Sequence, residues 1–138
     1  AKASGENVLW TLPMAHHFAV SIVLYLYFGA TTVLETTHQP EQLYLAAKTS
    51  GSHLLYGSPF HFAQLAQCKT AAPLPKLRLA ISTASALSEG VAKAFEKRFQ
   101  LALTQALGII EVGLPVMNLK HTIVLFVILI YSGINENL

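Results

Sequence analysis

The chain has 138 residues, of which 53% are hydrophobic and 12% charged, with nine Lys and Arg against seven Glu, no Asp, and a net charge of +2. That length suffices for one domain with a buried core, and the composition is too apolar for a disordered chain. The small positive balance has no basic run behind it, which argues against a nucleic-acid partner, while so greasy a chain suggests part of a larger fold or a surface that pairs with another copy.

The single cysteine, Cys68, allows no internal disulfide, which fits a cytoplasmic protein, and it reads as a buried helix thiol. The N-terminus opens polar, without a signal-peptide pattern. The longest apolar segments, 18–28 and 122–131, are shorter than the roughly 20 residues of a spanning helix. No membrane span is expected.

Taken in order, Val8-Leu-Trp-Thr-Leu12 reads as a short strand stopped by Pro13, and His16 and His17 follow. Residues 18–28 are apolar on every side apart from Ser21 and the hydroxyls of Tyr25 and Tyr27, so periodicity does not separate helix from strand. Length, and Gly29 where a helix C-cap belongs, favour a buried helix with both tyrosines in the core. Residues 30–35 form a β-branched strand, completing a β-α-β unit of parallel sense. Gln39-Pro40-Glu41 opens a second helix that Ser50-Gly51 closes. Residues 53–56 are a third strand, and Ser58-Pro59 starts a helix to about Lys69. The proline-rich stretch 70–75 is a connector within one domain.

Residues 76–113 organise the rest. Leu77, Leu79 and Ile81 alternate with Arg78, Ala80 and Ser82, the period of a strand. The Ser-Thr-Ala-Ser-Ala that follows has so little bulk that a ligand could lie against its backbone. Ser88 caps a helix with Glu89 in its first turn, burying Val91, Ala94, Phe95 and Phe99 and leaving Lys93, Glu96, Lys97 and Arg98 outside. Leu101 and Leu103 open the next strand, which turns off through Gly108 to Glu111. This alternation predicts an α/β fold, a mostly parallel sheet with helices on both faces. Ligands of such a sheet sit beyond the C-terminal strand ends. Three places qualify: His16 and His17, residues 83–86, and residues 107–111.

These blocks resemble those of the adenylate-forming enzymes, the acyl- and aryl-CoA ligase and luciferase superfamily. The resemblance rests on Leu-Pro-Met-Ala-His-His-Phe (12–18), Gly-Ala-Thr-Thr-Val-Leu (29–34), Ile-Ser-Thr-Ala-Ser-Ala-Leu-Ser (81–88), Phe-Glu-Lys-Arg-Phe (95–99) and Gln-Ala-Leu-Gly-Ile-Ile-Glu-Val-Gly-Leu-Pro (105–115). They come in the family's order and at about its spacing over residues 6 to 118. The resemblance implies a central fragment of the family's N-terminal domain. It also implies ATP or AMP, magnesium and coenzyme A as cofactors, and a carboxylic acid as substrate. Thr83, Ala84 and Ser85 then fall on the adenine-side turn, Gly108 on the motif glycine, Glu111 on the magnesium-binding acid, and His16 on the histidine that lines the acyl pocket.

Leu107 stands where the family usually has tyrosine, and Ile110 where it usually has threonine, so stacking on the base and a hydroxyl to phosphate are both lost. The glycine-rich phosphate loop, the ribose-binding aspartate and the catalytic lysine have no counterpart in these residues. Electrostatic stabilisation carries most of such catalysis, so the chain alone is expected to be inactive.

Taken without the resemblance, Glu111 reads first as a solvated loop acid, because one carboxylate seldom holds magnesium unaided. His16 and His17 are adjacent and point apart, which disfavours a metal pair. His38, His53, His61 and His121 are scattered and read as structural. Two further functions therefore stand beside the ligase fragment: a non-catalytic module that binds a small ligand, and a structural oligomerising domain. After Asn118 the resemblance stops. Residues 122–131 are expected to form an extra buried strand, on the domain or exchanged with a second chain in a homodimer.

Overall fold

The computed structural model describes residues 4–15, 21–109, 113–119 and 122–125. Their elements run β1 (Asn7–Trp10), α1 (Val23–Tyr27), β2 (Thr31–Leu34), α2 (Pro40–Thr49), β3 (Leu54–Gly57), α3 (Pro59–Gln67), β4 (Leu79–Ser82), α4 (Glu89–Phe99), β5 (Leu103–Ile109), β6 (Gly113–Leu119) and β7 (Thr122–Leu125). The strands form one sheet in the order β2-β1-β3-β4-β5-β6-β7. The first five are mutually parallel, and β6 and β7 are added antiparallel at the β5 side.

Alternating side chains leave the central strands on opposite faces, and both faces are covered. On one face Leu9, Leu55 and Ala80 pack under Leu43, Tyr44 and Ala47 of α2, Phe62 and Leu65 of α3, and Phe95 and Phe99 of α4. On the other, Val8, Trp10, Leu54, Tyr56, Ile81 and Ala106 meet Leu12, Ile22 and Ala30, with Tyr25 of α1 against them. Three helices thus lie on one face and α1 on the other, as the mostly parallel α/β reading requires.

The helix ends follow their local chemistry. Ser58 and His61 form a reciprocal capping box on α3, and the Ser88 hydroxyl accepts from the Val91 amide at 3.4 Å at the start of α4. Gly29 and Gly51 take φ of +79° and +57° just past α1 and α2. Gln100 does the same after α4 at φ +56°, and its side-chain Nε2 donates to the Lys97 carbonyl at 2.9 Å.

Four expectations are corrected. Instead of a buried helix over 18–28, the described part is the five-residue α1 with no fully buried residue; residues 18–20 lie outside the described residues. Tyr27, expected in the core, is 81% exposed, because α1 touches the sheet only through its inner side, where Tyr25 sits. Leu77 does not share a face with Leu79 and Ile81: it precedes β4 and packs beneath the helices, whereas Leu79 and Ile81 belong to the opposite cluster. Ala94 is exposed, and the inner face of α4 is carried by Val91, Phe95 and Phe99. Of the apolar tail, Thr122–Leu125 pairs antiparallel with β6, and residues 126–131 lie outside the described residues.

Candidate functional site

The C-terminal ends of β1, β3 and β4 are joined by a short ladder of backbone bonds. The Tyr56 carbonyl accepts from the Thr11 amide at 3.1 Å and from its hydroxyl at 2.8 Å, and the Gly57 carbonyl accepts from the Thr83 amide at 3.0 Å. Gly57, Ser82, Gln105 and Asn118 stand in one register row across β3 to β6. Beyond that row the chain leaves β4 through Thr83, Ala84 and Ser85. Thr83 is fully buried, while Ala84 and Ser85 are exposed. Ala84 takes φ +74°, a left-handed conformation that costs an L-residue roughly 1–2 kcal/mol. The turn therefore presents its backbone to solvent with only small side chains around it.

The next strand supplies the other wall. Ser82 pairs with Gln105, so Leu107 follows two residues beyond that row, and it is 56% exposed. The pairing of β5 with β6 shifts register between Leu107 and Ile109, placing Gly108 in the irregularity. Such a bulge redirects the strand end. Ile110, Glu111, His16 and His17 lie outside the described residues. The structure thus brings Thr83, Ala84 and Ser85 to the same sheet edge as Leu107 and Gly108.

Behind this edge, under the α1 face, lies a polar-tipped aromatic cluster. The Tyr25 and Tyr56 hydroxyls are 2.7 Å apart, and the Trp10 and Tyr56 ring centroids lie at 4.8 Å. Burial pushes the Tyr56 hydroxyl well above its ordinary pKa, reinforced by Tyr25, and burial likewise raises Tyr25 against the opposing effect of its hydrogen bond to Tyr56. Both hydroxyls therefore stay protonated at neutral pH. Trp10 Nε1, Ser82 Oγ and Thr83 Oγ1 are buried with no hydrogen-bond partner. Buried donors of this kind normally have partners, so these mark where polar groups are wanted.

Sequence reasoning scattered the histidines, and the fold gathers two of them. His38 follows β2 and His61 lies in the first turn of α3, with ring centroids 5.3 Å apart. His61 Nδ1 meets the Ser58 hydroxyl at 2.8 Å and the Ser58 amide at 3.2 Å, while Nε2 is buried without a partner. Burial, then the neighbouring His38, lowers the His61 pKa. His53 is structural, its Nδ1 accepting from the Asn7 amide at 3.0 Å. The one available signal was that both gathered histidines follow C-terminal strand ends. Among the described residues no three potential ligands cluster for a metal, and no helix is long and apolar enough to cross a membrane.

A groove of about 400 Å³ lined by Ala66, Ala71, Ala94, Lys97 and Arg98 lies where α3 and α4 end, at the opposite sheet edge from the exposed turn. It is separate from the candidate site.

Solved CoA ligases share this mostly parallel α/β fold. An anthranilate CoA ligase in complex with anthranoyl-AMP superposes with a TM-score of 0.74 at 16% identity, over 86% of this chain and 24% of that one. A benzoate CoA ligase from Burkholderia xenovorans LB400 gives 0.73 at 15% identity, over 86% and 25%. The apo structure of Mycobacterium smegmatis MbtA gives 0.65 at 28% identity, over 86% and 21%. No curated protein matches the chain. The sequence model of the AMP-binding enzymes matches residues 1–125, and the chain belongs to that family. It spans about a quarter of the length of the similar structures.

Proposed function

We propose that this chain forms the adenine-side turn and part of the acyl-pocket wall of an ATP-dependent acyl- or aryl-acid CoA ligase, and that these residues alone do not catalyse. The observation that carries this reading is the exposed, left-handed turn at Ala84 beside exposed Leu107 on the neighbouring strand. In this reading Thr83, Ala84, Ser85 and Gly108 approach adenine, Glu111 takes magnesium and His16 lines the carboxylate pocket. Nothing in these residues neutralises the charge of a transferring adenylyl group, since the phosphate loop and catalytic lysine have no counterpart. The complete reaction would form an acyl-AMP and then the coenzyme A thioester, in the cytoplasm. Pyrophosphate exchange with fatty and aromatic acids tests the inactivity: robust turnover by the purified chain would show that the missing parts are dispensable.

A second reading, a non-catalytic small-ligand module, is favoured by Leu107 and Ile110 at positions where an aromatic ring and a hydroxyl are expected. Amide NMR titrations with nucleotide and with fatty or aromatic acids, which detect weak binding, separate the two. Nucleotide binding supports the ligase reading, and acid binding without nucleotide supports the module.

The chain also divides, in this proposal, into a ligase-like part at 1–118 and an apolar tail at 119–138 that packs on it or on a second copy. Leu26 and Phe28 of the α1 region, 52% and 48% exposed, add apolar surface suited to a homo-oligomer. Light scattering on a chain lacking residues 120–138 is expected to show fewer subunits per particle than the full chain, and a folded, soluble protein of unchanged oligomeric state would count against the tail's role.

A further inference from the structure

We propose that the groove between the ends of α3 and α4 docks an acidic, extended segment of a partner polypeptide, with Lys97 and Arg98 taking its carboxylates. The groove encloses about 400 Å³ and is lined by Ala66, Ala71, Ala94, Lys97 and Arg98. Three methyl groups make its apolar wall, and both of its polar side chains are cations. None of the lining residues is an acid.

The positive charge at this edge is not cancelled locally. Among the described residues the ion pairs join Arg78 to Glu6 and Lys93 to Glu89, which leaves Lys97 and Arg98 without a carboxylate partner. Both stand in the last turn of α4, where a helix end carries roughly half a negative charge, too little to offset two cations. Glu96 is exposed at the preceding position, about 100° around the helix from Lys97, and does not line the groove. Lys69 adds an exposed cation in the turn between Ala66 and Ala71, and Lys48 and Lys76 stand near the end of α2 on the same sheet edge.

Arg98 is half-buried, and its Nη1 reaches across to the Ala71 carbonyl at 3.5 Å, a long bond that lays the guanidinium along the groove. Its other N–H groups remain for a carboxylate, which a guanidinium grips with two parallel bonds. A space of this size admits a few residues of an extended chain and not a folded surface. A lipid bilayer presents a plane, which would meet the exposed cations and leave the alanine wall empty, so wall and cations together favour a peptide. The groove lies at the opposite edge from the turn at 83–85, and the proposal does not rest on the ligase reading.

The test is fluorescence anisotropy of the 138-residue chain with a labelled decapeptide of alternating glutamate and alanine, with amide NMR to locate it. The peptide is expected to bind and to shift Ala66, Ala71, Ala94, Lys97 and Arg98. Lys97→Glu and Ala94→Phe change exposed side chains, the second filling the groove while keeping every charge, and each is expected to weaken binding at least about fivefold. Lys48→Glu makes the same charge change at the end of α2 and is expected to weaken it less than about twofold at physiological salt. No binding by the parent chain, full affinity in a folded Ala94→Phe or Lys97→Glu, or equal losses in Lys48→Glu and Lys97→Glu would each overturn the proposal. Sedimentation with phosphatidylserine vesicles, without peptide shifts in the groove, would assign this edge to a membrane surface instead.

Discussion

The amide of Thr83 donates to the carbonyl of Gly57 at 3.0 Å, fastening the turn after β4 to the end of β3. Gly57 is also crowded by the side chains of Thr11, His61 and Phe62. A Cβ there would lie 3.0 Å from Thr11 Oγ1 and 3.3 Å from both the His61 Cβ and Phe62 Cε2. Gly57→Ala should therefore destabilise the chain by about 1–3 kcal/mol through overpacking. Urea unfolding measures it, and a neutral result would mean that the three strand ends are loosely joined.

Ala84 carries the strain of the turn. Its φ of +74° suits glycine, so Ala84→Gly is expected to stabilise by about 1 kcal/mol and Ala84→Val to destabilise. Thermal melts of the two variants decide it. Equal melting temperatures would remove the strained turn from the account.

Alkaline pH should destabilise the protein through buried Tyr56 and half-buried Tyr25. Tyr25 and Tyr56 are both raised above the unfolded value of 10.0, so their contribution is complete below that value and falls as pH rises beyond it, when the unfolded chain loses protons first. Tyr56→Phe should make the alkaline loss shallower. At neutral pH it should cost about 0.5–1.5 kcal/mol, because the Tyr25 hydroxyl loses its 2.7 Å partner. An unchanged alkaline limb would show that Tyr56 does not couple folding to pH.

Restoring the expected ring and hydroxyl should not by itself create a nucleotide site. Leu107→Tyr with Ile110→Thr is predicted to leave ATP without measurable affinity in calorimetry, because the phosphate-binding groups are still missing. Micromolar binding would instead mean that the turn at 83–85 and Glu111 make up most of a site.

What was legible in the sequence was local. The starts of α2, α3 and α4 followed from Pro40, from Ser58-Pro59 and from Ser88, and the ends of α1 and α2 from Gly29 and Gly51, because caps act through neighbouring backbone groups. Residues 18–28 misled because a run without polar residues has no face to read, and α1 proved short and outward. Ala94 misled because a methyl group fits either side of a helix. The turn at Thr83, Ala84 and Ser85 was visible from its small side chains, but its left-handed residue was not, since alanine gives no sign of positive φ. The meeting of His38 and His61 was hidden because it depends on how the segments after two non-adjacent strands fold toward each other.

The central claim is that the C-terminal edge formed by β4 and β5 faces the adenine of a nucleotide. The most direct measurement is two-dimensional amide NMR of the chain titrated with AMP, which detects binding far weaker than calorimetry can. The account predicts shifts concentrated at Thr83, Ala84, Ser85, Leu107 and Gly108, growing with AMP concentration. Shifts clustered instead around Ala66, Ala94, Lys97 and Arg98 in the groove at the opposite edge, or none at saturating AMP, would contradict it.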